Sequence, residues 1–343
     1  MSAPLPGLAE WPLAPSPYYF SFEGHRRGRW LMYGQTRRAM VFIDLAAWPP
    51  APILITDEFA ISFDVLPDGR LILCSMVTEP EASAYRLRLH AAGWPERSDG
   101  PTLAVCEADF TGEVLAFGDT VLAVPWIGKE LPEAQRRPHL LQDRQLVPVD
   151  ELSQATRFDK SGWYELDSGK VTLDSGVEVL VWDGVGYERH GGRFRPAWDL
   201  GLLGSSHISW TAAPWGEDGF FYLSDRRVWY ARRGQPPRPV LPDADNVMFL
   251  HPGPDDSVLL SHGRNKKHLE ARLWFPLDGV YTPIERGALG VTGRGLGAGE
   301  LYWSEVTRHI YFRCGSLRTV PEAELLSLKR VRPRGGENVV PKT

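Results

Sequence analysis

The chain has 343 residues, 43% of them hydrophobic and 11% aromatic with 13 Trp. At roughly 25 cal/mol per Å² of buried apolar surface, that supports a large core and excludes a disordered chain. The net charge of −5 gives no overall pull toward nucleic acid or an anionic membrane.

Residues 1–17 carry no Lys or Arg, are broken by prolines and lack the continuous apolar stretch of a secretory signal, so they read as an N-terminal extension. From Tyr18 the chain alternates short apolar runs with Gly/Asp corners. Tyr18-Tyr19-Phe20-Ser21-Phe22 leads through Gly24 to Gly28 into Trp30-Leu31-Met32-Tyr33, then Met40-Val41-Phe42-Ile43 and Ile53-Leu54-Ile55. The same order follows with Ile61-Ser62-Phe63-Asp64-Val65, the turn Pro67-Asp68-Gly69, Leu71-Ile72-Leu73, and the alternating strand Tyr85-Arg86-Leu87-Arg88-Leu89. The middle is less regular, but Leu166-Asp167-Ser168-Gly169 and Leu173-Asp174-Ser175-Gly176 read as two hairpin turns around one short strand.

Downstream, Ile208-Ser209-Trp210 precedes the turn Glu217-Asp218-Gly219, Phe220-Phe221-Tyr222-Leu223 and Val228-Trp229-Tyr230. Val247-Met248-Phe249-Leu250 passes through Asp255-Asp256 into Val258-Leu259-Leu260 and Leu273-Trp274-Phe275, and Leu301-Tyr302-Trp303 precedes Ile310-Tyr311-Phe312. With landmarks near Gly28, Gly69, Asp119, Gly162 or Gly169, Gly219, Asp256 and Gly299, the unit recurs at roughly 40 to 50 residues, the length of a four-stranded blade. Each small twisted sheet exposes two apolar faces that only neighbours can cover, and a closed ring removes unpaired edges.

In these strand, Asp/Gly corner and strand units, residues 18–320 resemble β-propellers. That predicts an all-β fold of seven blades, with six blades or a stacked sandwich as the alternatives. The units depart from the WD-repeat type, since Trp182-Asp183 and Trp198-Asp199 lie too close together to mark successive blades, and the paired glycines of the kelch type are missing. In general look the chain resembles propellers encoded beside bacterial ATPase and von Willebrand A modules, which implies a bacterial-type complex. Residues 321–343 read as a short helix over Pro321–Arg330, with acids in its first turn and bases in its last, followed by a basic, flexible tail.

The motifs of common enzymes are missing: no phosphate loop ending in Gly-Lys-Ser/Thr, no His-Glu-x-x-His, no Cys-x-x-Cys, no Gly-x-Ser-x-Gly and no calcium loop. No cofactor is implied. Propeller enzymes instead gather one residue per blade at the channel, and Glu23, Asp64, Asp159, His207, Asn246 and His251 stand beside or inside the innermost strands. Asp64, Asp159, His207 and His251 are candidates for a divalent metal that activates water. The alternative is that such residues close turns or bridge blades through hydrogen bonds. His207, next to Ser206 on an extended strand, cannot pair with it as base and nucleophile, because adjacent side chains point to opposite faces.

Two residue classes point to a protein partner instead. Trp48, Trp94, Trp126 and Trp215 sit beside prolines, in loops, where aromatics on a rigid scaffold anchor interfaces, the alternative being that they cover the ends of the core. Arginine pairs in turns, among them Arg26-Arg27 and Arg232-Arg233, would form a basic patch if several shared one face, the alternative being solvated turns. Cys74, Cys106 and Cys314 are too few and too far apart for a disulfide framework, which suits a reducing cytoplasm. The expectation is therefore a non-enzymatic cytoplasmic scaffold that binds another protein, not nucleic acid or membrane, with a propeller hydrolase or lyase acting on a sugar, lactone or ester as the alternative.

Overall fold

The computed structural model describes residues 3–4, 25–36, 39–50, 52–56, 59–78, 83–94, 102–106, 112–125, 132, 136–154, 169–201, 211–241, 246–263, 269–284, 301–314, 316–332 and 339–342. Strand β1 (Ala3–Pro4) is followed by seven four-stranded antiparallel sheets. The first three are β2 (His25–Arg27), β3 (Trp30–Thr36), β4 (Ala39–Asp44) and β5 (Pro52–Thr56); β6 (Phe59–Val65), β7 (Leu71–Thr78), β8 (Ser83–His90) and β9 (Thr102–Cys106); and β10 (Gly112–Phe117), β11 (Thr120–Pro125), β12 (His139–Gln142) and β13 (Gln145–Pro148). Then come β14 (Gly169–Thr172), β15 (Glu178–Trp182), β16 (Val185–His190) and β17 (Arg193–Asp199); β18 (Ala212–Pro214), β19 (Gly219–Ser224), β20 (Arg227–Arg232) and β21 (Gln235–Val240); and β22 (Val247–Pro252), β23 (Val258–Gly263), β24 (Leu269–Phe275) and β25 (Val280–Ile284). The last sheet joins β26 (Leu301–Ser304), β27 (His309–Cys314) and β28 (Ser316–Pro321) to β1. These are the blades of a seven-bladed β-propeller, which settles the choice between six and seven and removes the sandwich.

Two expectations about the ends are corrected. Ala3 and Pro4, placed by the sequence in an N-terminal extension, pair with Thr319 and Arg318 and supply the outer strand of blade seven. The helix α1 is shorter than expected, Glu322–Leu326, and the segment after it is docked where it is described: Val331 pairs with Tyr281, and Val340 is fully buried. Two blade landmarks also move. The first turn of blade four lies at Asp174–Gly176 instead of Gly162 or Gly169, and that of blade seven follows Ser304. The expected strands at Tyr18–Phe22 and Ile208–Trp210 lie outside the described residues.

The blades fall into two compact units: residues 13–44 and 52–165 form one, and residues 1–12, 45–51 and 166–343 the other. In each, the core lies between adjacent sheets. In the first, Trp30, Met32 and Phe42 of blade one pack on Phe63, Leu71 and Leu73 of blade two, and Ile72, Cys74 and Leu87 pack on Val114, Val121 and Ala123 of blade three. In the second, Phe221, Val228 and Val240 of blade five meet Leu250, Val258 and Trp274 of blade six, whose Leu259 and Leu273 meet Ile310 and Phe312 of blade seven. The two-residue turns at Asp143-Arg144 and Asp225-Arg226 hold both residues at positive φ, the geometry that matches the twist of a hairpin.

Candidate interaction surface

The candidate residues separate by burial. Trp94 is 2% exposed, stacks on His90 at 3.9 Å and meets Phe42 edge-on, and Trp215 is 2% exposed and packs against Phe221. Both are core residues, so neither offers a free apolar face; the alternative reading of loop tryptophans applies to these two. Trp126 lies outside the described residues. Trp48 is different, with 51% of its surface exposed.

Trp48 belongs to the β4–β5 connection, whose Leu45 is buried. The Leu45 carbonyl accepts a hydrogen bond from Ser304 Oγ at 2.5 Å, and that hydroxyl accepts in turn from the Thr307 amide at 3.2 Å. This places the connection against the β26–β27 turn. The Trp48 indole lies flat on the His309 ring, 3.7 Å between centroids and 19° between planes. His309 Nδ1 donates to the Thr307 carbonyl at 2.6 Å, which fixes the plane of the ring. Thr307 is pinned further by Tyr311 Oη at 3.1 Å from its Oγ1. At the tip of the same turn Val306 is 69% exposed.

The flank of this turn is polar and ordered. Arg308 pairs with Glu322 of α1 and lies over the Trp303 ring, while Trp303 Nε1 donates to Glu322 Oε2 at 2.7 Å. Exposed aromatic and aliphatic side chains on a hydrogen-bonded turn, rimmed by charge, have the anatomy of an interface patch. Sequence reading found Trp48 but not Val306 or His309; each stands in a two-strand turn whose partner loop is more than 250 residues away in the chain, a proximity no local signal carries.

Arg232 and Arg233 are each engaged by a carboxylate of their own unit. Arg232 Nε donates to Asp218 Oδ2 at 3.2 Å, and Arg233 grips the buried carboxylate of Glu188. Arg26 and Arg27 pair by backbone with Leu31 and Trp30, and their side chains lie outside the described residues.

The metal candidates follow the blade-bridging alternative where they can be seen. Asp64 accepts from Val65 N and from Ala116 N, each at 2.8 Å, and Ser62 Oγ accepts from Val114 N at 2.8 Å, tying β6 to β10. Thr211 Oγ1 bridges to Leu250 N in the same way. His251 packs its ring 4.7 Å from that of Tyr302, blade six against blade seven. Asn246 occupies a positive-φ position at the start of β22. Glu23, Asp159 and His207 lie outside the described residues. Among the described residues no group of three or more His, Cys, Asp or Glu is arranged to hold a metal ion. Burial pushes the Cys74 thiol up to about 12, only partly offset by a backbone hydrogen bond at Gly112, so it is a small hydrophobe and not a nucleophile.

No protein-family model matches the chain, and no curated protein matches it. Among solved structures it is similar to a chain of a mitotic checkpoint complex, at 10% identity over 94% of this chain and 91% of that one, with a TM-score of 0.53. It is also similar to Hsv2 of Kluyvelomyces marxianus, at 9% identity over 91% of this chain and 98% of that one with a TM-score of 0.45. A third is the Cps50 (Swd1) β-propeller domain of Myceliophteria thermophila, at 11% identity over 87% of this chain and 97% of that one with a TM-score of 0.44. At such identities the first likeness concerns the fold alone. No helix among the described residues is long and apolar enough to cross a membrane.

Proposed function

We propose that this chain is a non-enzymatic interaction scaffold that docks a protein partner over Trp48 and Val306, within a bacterial-type cytoplasmic complex and without nucleic acid or membrane. The observation that carries the reading is the exposed Trp48 indole held flat on His309, on a turn tied by the Ser304–Leu45, Thr307–Ser304 and His309–Thr307 hydrogen bonds. Such a side chain has little freedom left to lose on binding, so its apolar area contributes to affinity nearly undiminished. One of the solved structures it resembles is that of a mitotic checkpoint complex, which agrees with a propeller serving as a platform. The net charge of −5 and the three dispersed cysteines fit an intracellular protein partner.

The test is affinity capture from the native host with the unsubstituted chain and with W48A/V306D, followed by titration of each captured protein against both. A partner retained by the first and lost from the second supports the proposal. Equal retention, or stoichiometric calcium or zinc in the purified chain, contradicts it.

A further inference from the structure

Residues 339–342 are not a loose end. Val340 is fully buried in the apolar cluster that holds Trp215, Val258 and Trp274, and its amide donates to the Pro276 carbonyl at 2.8 Å. Trp215 Nε1 points at the carbonyls of Val340 and Pro341, at 3.2 and 3.3 Å. Lys342 Nζ then reaches Asp256 Oδ1 at 2.8 Å and Asp174 Oδ2 at 3.4 Å, and lies 5.4 Å from the centroid of the Trp215 ring. Burial works against the ammonium, but the bond to Asp256 and the charges of Asp174 and Asp256 outweigh it and hold the lysine above its ordinary pKa.

The receiving surface has hydrogen bonds of its own. Asp174 Oδ2 accepts from Gly216 N at 3.0 Å, Ser175 Oγ donates to the Glu217 carbonyl at 2.8 Å, and Trp215 N donates to the Gly219 carbonyl at 2.9 Å. These bonds tie blade four to blade five and fix the turn on which Trp215 sits. An apolar slot, an indole N–H aimed at main-chain carbonyls and two carboxylates at the far end together select an extended segment: an apolar residue, then a proline that favours the extended backbone, then a lysine.

We infer that Trp215, Pro276, Asp174 and Asp256 form a binding site for an apolar–Pro–Lys segment of a partner protein, and that Val340-Pro341-Lys342 occupies it in cis as a latch. The latch contacts are few, each of a kind that is individually modest. Their strength comes from tethering, which presents the segment at an effective concentration on the order of millimolar. A partner segment gains the site when it binds better than that concentration demands, or when the latch is released. This site shares no residue with the Trp48 surface, so either can fail alone.

The test uses a fluorescein-labelled peptide of residues 337–343 and fluorescence anisotropy. A chain shortened to end at Glu337 should bind it saturably, and the full chain at least about tenfold more weakly because its own segment competes. Binding to the shortened chain should fall at least about tenfold when the peptide lysine becomes Glu, or when the chain carries D256K, which leaves the bond between Asp174 and Gly216 in place. A shortened chain with the circular dichroism of the full one that binds no peptide, or binds it regardless of the lysine, overturns the inference. If the shortened chain does not fold, the full chain with K342E replaces it: peptide binding should rise above that of the unsubstituted chain, and unchanged binding overturns the inference equally.

Discussion

Arg233 holds Glu188 through both carboxylate oxygens, at 2.6 and 3.0 Å, joining the β20–β21 turn of blade five to the middle of β16 in blade four. The carboxylate is buried and also accepts from Trp198 Nε1 at 3.0 Å, with His190 Nε2 at 3.3 Å. The guanidinium itself covers the Trp198 ring. An arginine that the sequence offers as part of a docking patch is thus the clamp between two sheets.

Removing the cation alone strands a buried charge, so R233A should destabilise the chain by about 1–3 kcal/mol, less than a fully buried pair because the arginine is itself part-exposed. The double variant R233A/E188Q should recover part of that loss, since glutamine keeps an acceptor for Trp198 without the charge. Urea unfolding of the three proteins checks it. A double variant no more stable than R233A would contradict the clamp.

Asp64 makes a sharper prediction because both its oxygens accept from backbone amides. Alanine leaves the Ala116 amide buried without its acceptor, at about 1–3 kcal/mol. Asparagine is no remedy, since one of its two side-chain atoms must then face an N–H with an N–H of its own. D64N should therefore be nearly as unstable as D64A in the same unfolding experiment.

Acid should weaken the fold through His139. Burial, the largest influence, together with the charge of Arg137, lowers its pKa, while a backbone hydrogen bond at Arg137 opposes the shift. The folded state therefore binds this proton less readily than the unfolded one. Its contribution is present above the unfolded value of about 6.5 and lost as pH falls through the lower folded value. Midpoints of urea unfolding should be level from pH 8 to 7 and fall below about 6.5, with a shallower fall in H139Q.

The turn Asp225-Arg226 carries an arginine at φ 59°, a conformation that side chains with a Cβ resist. Replacing the pair by Asn-Gly should raise stability by about 0.5–1 kcal/mol, read as a higher melting temperature. The Arg226 carbonyl, which accepts from Val247 N at 2.8 Å, keeps its role in that variant.

How much of this could be read from the chain depends on the range of the interaction. Strands such as Leu71–Thr78 and turns such as Pro67-Asp68-Gly69 carry their pattern locally, and the blade count follows from their recurrence. Strand β1 has two residues, one of them proline, and is placed by β28 at the other end of the chain, so no local pattern announces it. A proline beside Trp94, Trp48 or Trp215 marks a turn but not the side to which the indole points; His90 and Phe42 draw one inward, while His309 holds another at the surface. Val340 is one apolar side chain in a basic, Gly/Pro-rich stretch, and only the slot beside Trp215 gives it a place.

The proposed role is tested most directly by the affinity of a captured partner for the unsubstituted chain and for W48A, measured by calorimetry beside the melting temperature of each. Trp48 is half-exposed at the surface. W48A should leave melting within a few degrees and weaken binding at least about thirtyfold, the effect of losing a central aromatic anchor. Unaltered affinity in a W48A chain that melts normally would contradict a docking surface at this turn.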